Sequence, residues 1–340
     1  MKKAGFLASS LAVLTVFAAA CGAEDDASGE SSSNVVTVYS PHQSEIINPI
    51  VREFQERSGI EVDLVTGGTG ELLNRVQAES NNPGGDVFWG GGAESLEAYN
   101  DYFEPYVTSE DDSIPEEYKS PTNHWTGFSA LPMVIMYNEE MVSEEDAPTS
   151  WEDLLDEQWK GKIAYTDPGR SGSSYTQLVT MLFAYEENGE KGWDFVERFV
   201  ENLDGTMLSG SSMVFRGIAD GEFPIGITLE EAAHRYIAGG SPVNVAYPEE
   251  GTSAVPDGMA LVKDSKNSAE AQEFMDFLVS EDVQEMIVEE FNRRSIREDI
   301  DPPEGLVDSS EIPMVDYDFE WSAENQEEVM QQFQQLIMQQ

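Results

Sequence analysis

The sequence predicts an α/β protein of two lobes connected by two crossing strands. Three observations predict it. The first folded stretch alternates strand and helix signals in the order β-α-β-α-β, which implies a parallel sheet with right-handed crossovers. A second alternating series fills the middle of the chain. An extended segment over residues 243–262, with few helix signals, then carries the chain back. Residues 35–128 with 257–340 are expected to form the first lobe, and residues 129–256 the second, with crossover strands at both of its ends. About 300 folded residues suit two cores better than one.

The elements follow in order. Val35, Val36, Val38 and Tyr39 form a β-rich run ended by Ser40 and Pro41. Ile46, Ile47, Ile50, Val51 and Phe54 recur at helical spacing, Pro49 is expected in the first turn, and Gly59 stops the helix. Ile60, Val62 and Leu64 alternate as a strand, and the turn Gly67-Gly68-Thr69-Gly70 leads into a helix over residues 71–80. A short strand over residues 85–89 ends in three glycines. Residues 127–138 read as one long apolar strand. Helices are expected over residues 151–155, 175–186, 192–202, 212–220 and 230–238, with strands over 162–165 and 224–228. Two helices, 269–280 and 283–291, follow the returning segment, and Val329, Phe333, Leu336 and Ile337 make an apolar stripe that packs on a lobe.

The N-terminus reads as a processing segment. Lys2 and Lys3 precede an apolar stretch too short for a stable span, and Ala18-Ala19-Ala20 lead to Cys21. Residues 1–20 are expected to be a signal peptide, and Cys21 the acylated residue of a lipobox that anchors the chain to the outer face of the cell membrane. Residues 21–34 are expected to be the acylated cysteine and a flexible tether, because residues 23–34 are small, polar and acidic. Cys21 is the only cysteine, so neither a disulfide framework nor a thiolate metal site is available.

The net charge is −48, from 66 acidic and 18 basic residues. It excludes nucleic acid as a partner and points to a surface adapted to high salt, where the Debye length shrinks to about 3 Å at 1 M. Melting temperature is expected to rise from low salt to about 1 M sodium chloride; a flat response would mean that the charges are already balanced locally.

In open α/β sheets ligands gather at the carboxyl ends of strands. The strand ends here offer Ser40 and His42, Thr69 and Gly70, Trp89 and Gly90, and Thr228. Three small, polar segments introduce helices: residues 67–70, residues 171–174 with Ser173 and Ser174, and residues 209–212 with Ser211. Helix N-termini carry unpaired N–H groups and partial positive charge, which suit a phosphate or carboxylate, although serine and threonine also serve there as simple caps. Arg170 precedes one segment and is placed to fork onto a phosphate or to pair with a surface acid. Glu230 and Glu231 are candidate acceptors for ligand hydroxyls, and equally suit the first turn of a helix. His42, His124 and His234 match no zinc spacing, and neither GxSxG nor HExxH occurs, so no enzyme is expected and no cofactor.

Six segments in order carry a resemblance: VVTVYSPH (35–42), IVREFQERSGIEV (50–62), GGDVFWGGG (84–92), GKIAYTDPGRSGSSY (161–175), ADGEFPIGIT (219–228) and NRRSIR (292–297). The chain resembles the ferric-iron-type subfamily of extracellular solute-binding lipoproteins, with the type 2 periplasmic binding-protein fold. The resemblance implies a monomer that captures a small molecule by lobe closure and delivers it to an ABC permease. Ferric members carry a histidine after the first strand and two adjacent tyrosines; His42 matches the first, but Glu230 and Glu231 stand where the tyrosines belong. That pattern resembles the sugar-phosphate binders. Ferric iron, held in part by His42, Glu230 and Glu231, is the alternative, with phosphonate or thiamine behind it.

Overall fold

A computed structural model describes residues 34–340. The expected signal peptide, Cys21 and nearly all of the expected tether lie outside the described residues, among which no helix is long and apolar enough to cross a membrane.

The first lobe opens with β1 (Val35–Ser40), α1 (Ser44–Ser58), β2 (Glu61–Thr66), α2 (Thr69–Ala78), β3 (Val87–Gly92), α3 (Ala93–Ala98) and the short β4 (Phe103–Glu104). β1 pairs in parallel with both β2 and β3, as the β-α-β-α-β pattern predicts. Gly59 closes α1 in the left-handed region, at φ 71°. Pro49 falls in the second turn of α1 rather than the first, because the Gln43 carbonyl already accepts from Ile46 and Ile47 and starts the helix at Ser44.

The apolar run over residues 127–138 is two strands, not one. β5 (Thr126–Ala130) belongs to the first sheet and β6 (Met133–Asn138) to the second. Pro132 lies between them, with no N–H to offer a ladder, and the chain changes sheets there.

The second lobe comprises β7 (Ile163–Ala164), α4 (Gly172–Ala184), α5 (Trp193–Leu203), α6 (Ser211–Ala219), β8 (Ile225–Leu229), α7 (Glu230–Ala238) and β9 (Val243–Ala246), with strand order β7-β8-β6-β9. The chain returns through β10 (Pro256–Val262), α8 (Ser268–Leu278), α9 (Glu281–Phe291) and β11 (Arg294–Ser295), then ends in α10 (Phe319–Glu324) and α11 (Gln326–Met338). β10 inserts antiparallel between β3 and β5, giving the first sheet the order β11-β5-β10-β3-β1-β2, with β4 also paired to β10.

The two crossings are bonded to each other. Met133 N–H donates to the Ser253 carbonyl at 3.1 Å, and the Thr252 hydroxyl donates to the Met133 carbonyl at 2.7 Å. The last helix departs from expectation. Val329 and Phe333 of α11 are buried among second-lobe residues such as Tyr165 and Phe199, although residues 257–340 are assigned to the first lobe by the sequence reading. Helical spacing defines the apolar stripe but does not say which core receives it.

Candidate ligand-binding cleft

A cavity of about 280 Å³ lies between the two sheets. Three helix starts reach it: α2 through Gly67, Gly68 and Thr69; α4 through Arg170, Ser171, Gly172 and Ser173; and α6 through Ser209 to Ser212. α2 and α6 are preceded by Gly68 and Gly210, neither of which supplies a side-chain cap. The first N–H groups of these helices therefore have no side-chain cap, although in α6 Met213 N–H already donates to the Gly210 carbonyl at 3.0 Å. In α4 the Ser171 hydroxyl accepts from Ser174 N–H at 3.4 Å, which caps one of the four orphan donors. The lobes touch here: a Cβ built on Gly68 would lie 2.4 Å from the Arg170 carbonyl oxygen across the cleft.

The opposite wall is charged and buried. Arg293 donates through Nη1 to Asp257 Oδ2 at 2.8 Å and to Ser129 Oγ at 2.9 Å, and through Nη2 to Glu231 Oε1 at 3.3 Å. The Ser129 hydroxyl donates to Asp257 Oδ1 at 2.6 Å, and Arg235 Nε lies 3.3 Å from Glu231 Oε2. His42 Nε2 stands 3.1 Å from Asp257 Oδ2, its ring wedged against Trp89 and Phe128. His42, Asp257, Glu231 and Arg293 side chains are each no more than 6% exposed.

Burial, then the nearby Arg293 charge, drives His42 well below its ordinary range, so the ring is neutral at physiological pH. Burial pushes Asp257 up, and Arg293 pulls it back. Desolvation opposes charge on Arg293, but Asp257 and Glu231 outweigh it and hold the guanidinium charged. His42 Nε2, Glu231 Oε2 and Arg293 Nε still lack a hydrogen bond of good geometry. Buried polar atoms of this kind await a partner, and all three residues line the cavity.

Of the residues singled out from the sequence, His42, Thr69, Arg170, Ser173, Ser211 and Glu231 line the cavity. The others do not. Ser40 is buried and donates its hydroxyl to the Trp89 carbonyl. Trp89 is fully buried and has no face free for a ring. Gly90 backs the His42 ring, where a Cβ would lie 2.8 Å from Nε2. Gly70 faces a neighbouring cavity, Ser174 is engaged with Ser171, and Thr228 is buried in β8. Glu230 turns away and forms a two-bond pair with Arg294, at 2.7 and 2.9 Å. Successive helix positions point about 100° apart, so the pair Glu230-Glu231 cannot both face the ligand. The iron set of His42, Glu230 and Glu231 is therefore not brought together, and no group of three or more His, Cys, Asp or Glu is placed to hold a metal among the described residues.

Asp257 and Arg293 escape the sequence reading. Asp257 is the lone acid of the apolar strand PDGMALV, and Arg293 stands in NRRSIR within a chain poor in bases. Both are signals of a buried charge needing a partner.

The model of the bacterial extracellular solute-binding protein family matches residues 86–318. The chain belongs to this family. The solute-binding protein is 30% identical over 295 residues to Iron uptake protein A1 of Synechocystis, covering 79% of this chain and 78% of that one. It is similar in fold to the periplasmic binding protein AfuA from Actinobacillus pleuropneumoniae with fructose-6-phosphate bound, at TM-score 0.83 and 22% identity, covering 89% of this chain and 98% of the other. It also resembles iron-bound HitA from Pseudomonas aeruginosa, at TM-score 0.76 and 20% identity, covering 89% and 99%. The type 2 periplasmic binding-protein fold implied by the six segments is the fold of these neighbours.

Proposed function

We propose that this solute-binding protein captures a small phosphate ester with a polyol part, a sugar phosphate, and delivers it to an ABC permease as a monomer anchored through Cys21. The observation that carries the reading is the convergence of three helix N-termini, from both lobes, on one cavity. An anion there meets N–H donors that have no helical partner, together with Arg170, for which no carboxylate pairing occurs among the described residues. Phosphate is the anion whose oxygens suit several such donors at once. The opposite wall offers hydroxyl-binding groups of both kinds: the acceptors Glu231 and Asp257 and the donor Arg293. A cavity of about 280 Å³ accommodates a small metabolite rather than a bare ion. Guanidinium groups already engage the two carboxylates, which disfavours a ferric centre on that wall.

Calorimetry on one preparation separates the readings: glucose 6-phosphate, free glucose, inorganic phosphate and ferric citrate. The ester is expected to bind at least tenfold tighter than either half, and at a hundred times Kd to add about 2.7 kcal/mol of stability. Tight ferric binding with no response to any ester would replace this reading with iron capture. For the anchor, Cys21→Ser is expected to abolish incorporation of labelled fatty acid in cells; a wild type that takes up no label would remove the lipoprotein assignment.

A further inference from the structure

We propose that closing the lobes on ligand is coupled to uptake of a proton by Glu94, a carboxylate sealed between the lobes behind the cavity wall. The proposal rests on the capture reading above. Glu94 lies in the first turn of α3 and is 0% exposed, while its neighbours Ala93 and Leu96 fix the helix in the first-lobe core. Its Oε1 accepts from the Thr176 hydroxyl on α4 of the second lobe. Thr176 lines the cavity, and so does Gly92, where a Cβ would lie 2.5 Å from Glu94 Oε2. Gly92 and Thr176 therefore stand between this carboxylate and the cavity.

Among the described residues no cationic group acts on Glu94. The groups that act on it are Thr176 and Tyr175 from α4, and Tyr317 from the segment before α10. Oε2 and the Tyr317 hydroxyl face each other without a hydrogen bond of good geometry. A protonated carboxyl becomes a donor that the Tyr317 oxygen can accept, whereas a carboxylate sets only neutral hydroxyl and backbone hydrogen bonds against full desolvation. Burial accordingly pushes Glu94 up to about 7, against the smaller opposing pull of the Thr176, backbone and Tyr317 hydrogen bonds. When the lobes part, Thr176 leaves with α4 and water reaches the carboxyl, returning it toward ordinary values. Closure thus binds a proton near neutral pH. The closed state gains as pH falls through about 7, and the gain is complete below 4.5.

Glu94→Gln holds the neutral form permanently. The test is calorimetry with glucose 6-phosphate from pH 5.5 to 8.5 on the wild type and E94Q. The ratio of their Kd values cancels the ester's own ionisation. That ratio is expected to rise about thirtyfold from pH 5.5 to 8.5 when opening returns Glu94 to the ordinary carboxyl value of 4.5 from about 7 in the closed state. At pH 7, buffers of different ionisation enthalpy should report about half a proton taken up per ligand by the wild type and none by E94Q. A ratio independent of pH overturns the proposal. A second arm uses no ligand: small-angle scattering of the full chain should show the wild type compacting from pH 8.5 to 5.5 while E94Q stays equally compact at both. A variant that follows the wild type overturns the coupling whether or not a sugar phosphate is the ligand.

Discussion

Arg293→Met is expected to lower stability by about 3–5 kcal/mol, the range for removing one member of a buried ion network. The loss comes from the partners left behind. Asp257 and Glu231 would face each other across the cavity wall, both buried, with Arg235 reaching only Glu231. A domain of this size shifts by roughly 2–4 °C per kcal/mol, so the melting temperature should fall by about 10 °C. Asp257→Asn in the same chain removes one of the stranded charges and should recover part of the loss. Urea denaturation of the two single variants and the double variant measures the coupling directly. Additive losses in that cycle would show that Arg293 and Asp257 are not coupled.

Gly68→Ala is expected to weaken capture roughly ten- to hundredfold while leaving the ligand-free chain as stable as the wild type. Gly68 has φ −71° and ψ 149°, which alanine adopts freely, so the backbone carries no strain. The added methyl instead meets the Arg170 carbonyl oxygen of the other lobe at 2.4 Å. That neighbour is backbone and cannot rotate aside, so relief comes from holding the lobes apart. Only the closed state is penalised, by about 1–3 kcal/mol, and a ligand that requires closure loses affinity by the same amount. Calorimetry with whichever of the four compounds binds the wild type, beside a thermal melt, reads both halves. Unchanged affinity would mean that the ligand is held by one lobe.

The half of the cleft lined by helix starts was legible in the sequence because its signals are local. Glycine and serine runs announce helix starts, and all three such segments reach the cavity. The charged wall was not. Asp257 and Arg293 meet through the pairing of β10 and β11 with the same strand, β5, a long-range event that no local spacing encodes. Glu230 and Glu231 illustrate the finer limit. Placement by resemblance brings both to the site, but helical geometry sends one to Arg294 and the other to the cavity. Among the elements, local patterns located β1, β2, β3, β7 and β8, read β9 and β10 only as one extended segment and missed the two-residue β4 and β11; they joined β5 to β6 because both are buried throughout, and a fully buried strand carries no periodicity to show where the sheet changes.

The placement of β10 and α11 bears on when the chain can fold. β10 is an interior strand of the first sheet, between β3 and β5, so residues 35–130 cannot complete their sheet before residues 256–262 arrive. The second sheet is drawn from residues 133–246, but its core is closed by Val329 and Phe333 near the C-terminus. Each lobe thus waits for a distant, late part of the chain, and contacts of such long sequence separation form slowly. A polypeptide built this way is expected to reach its two-lobed form only after residues 329–333 have been synthesised.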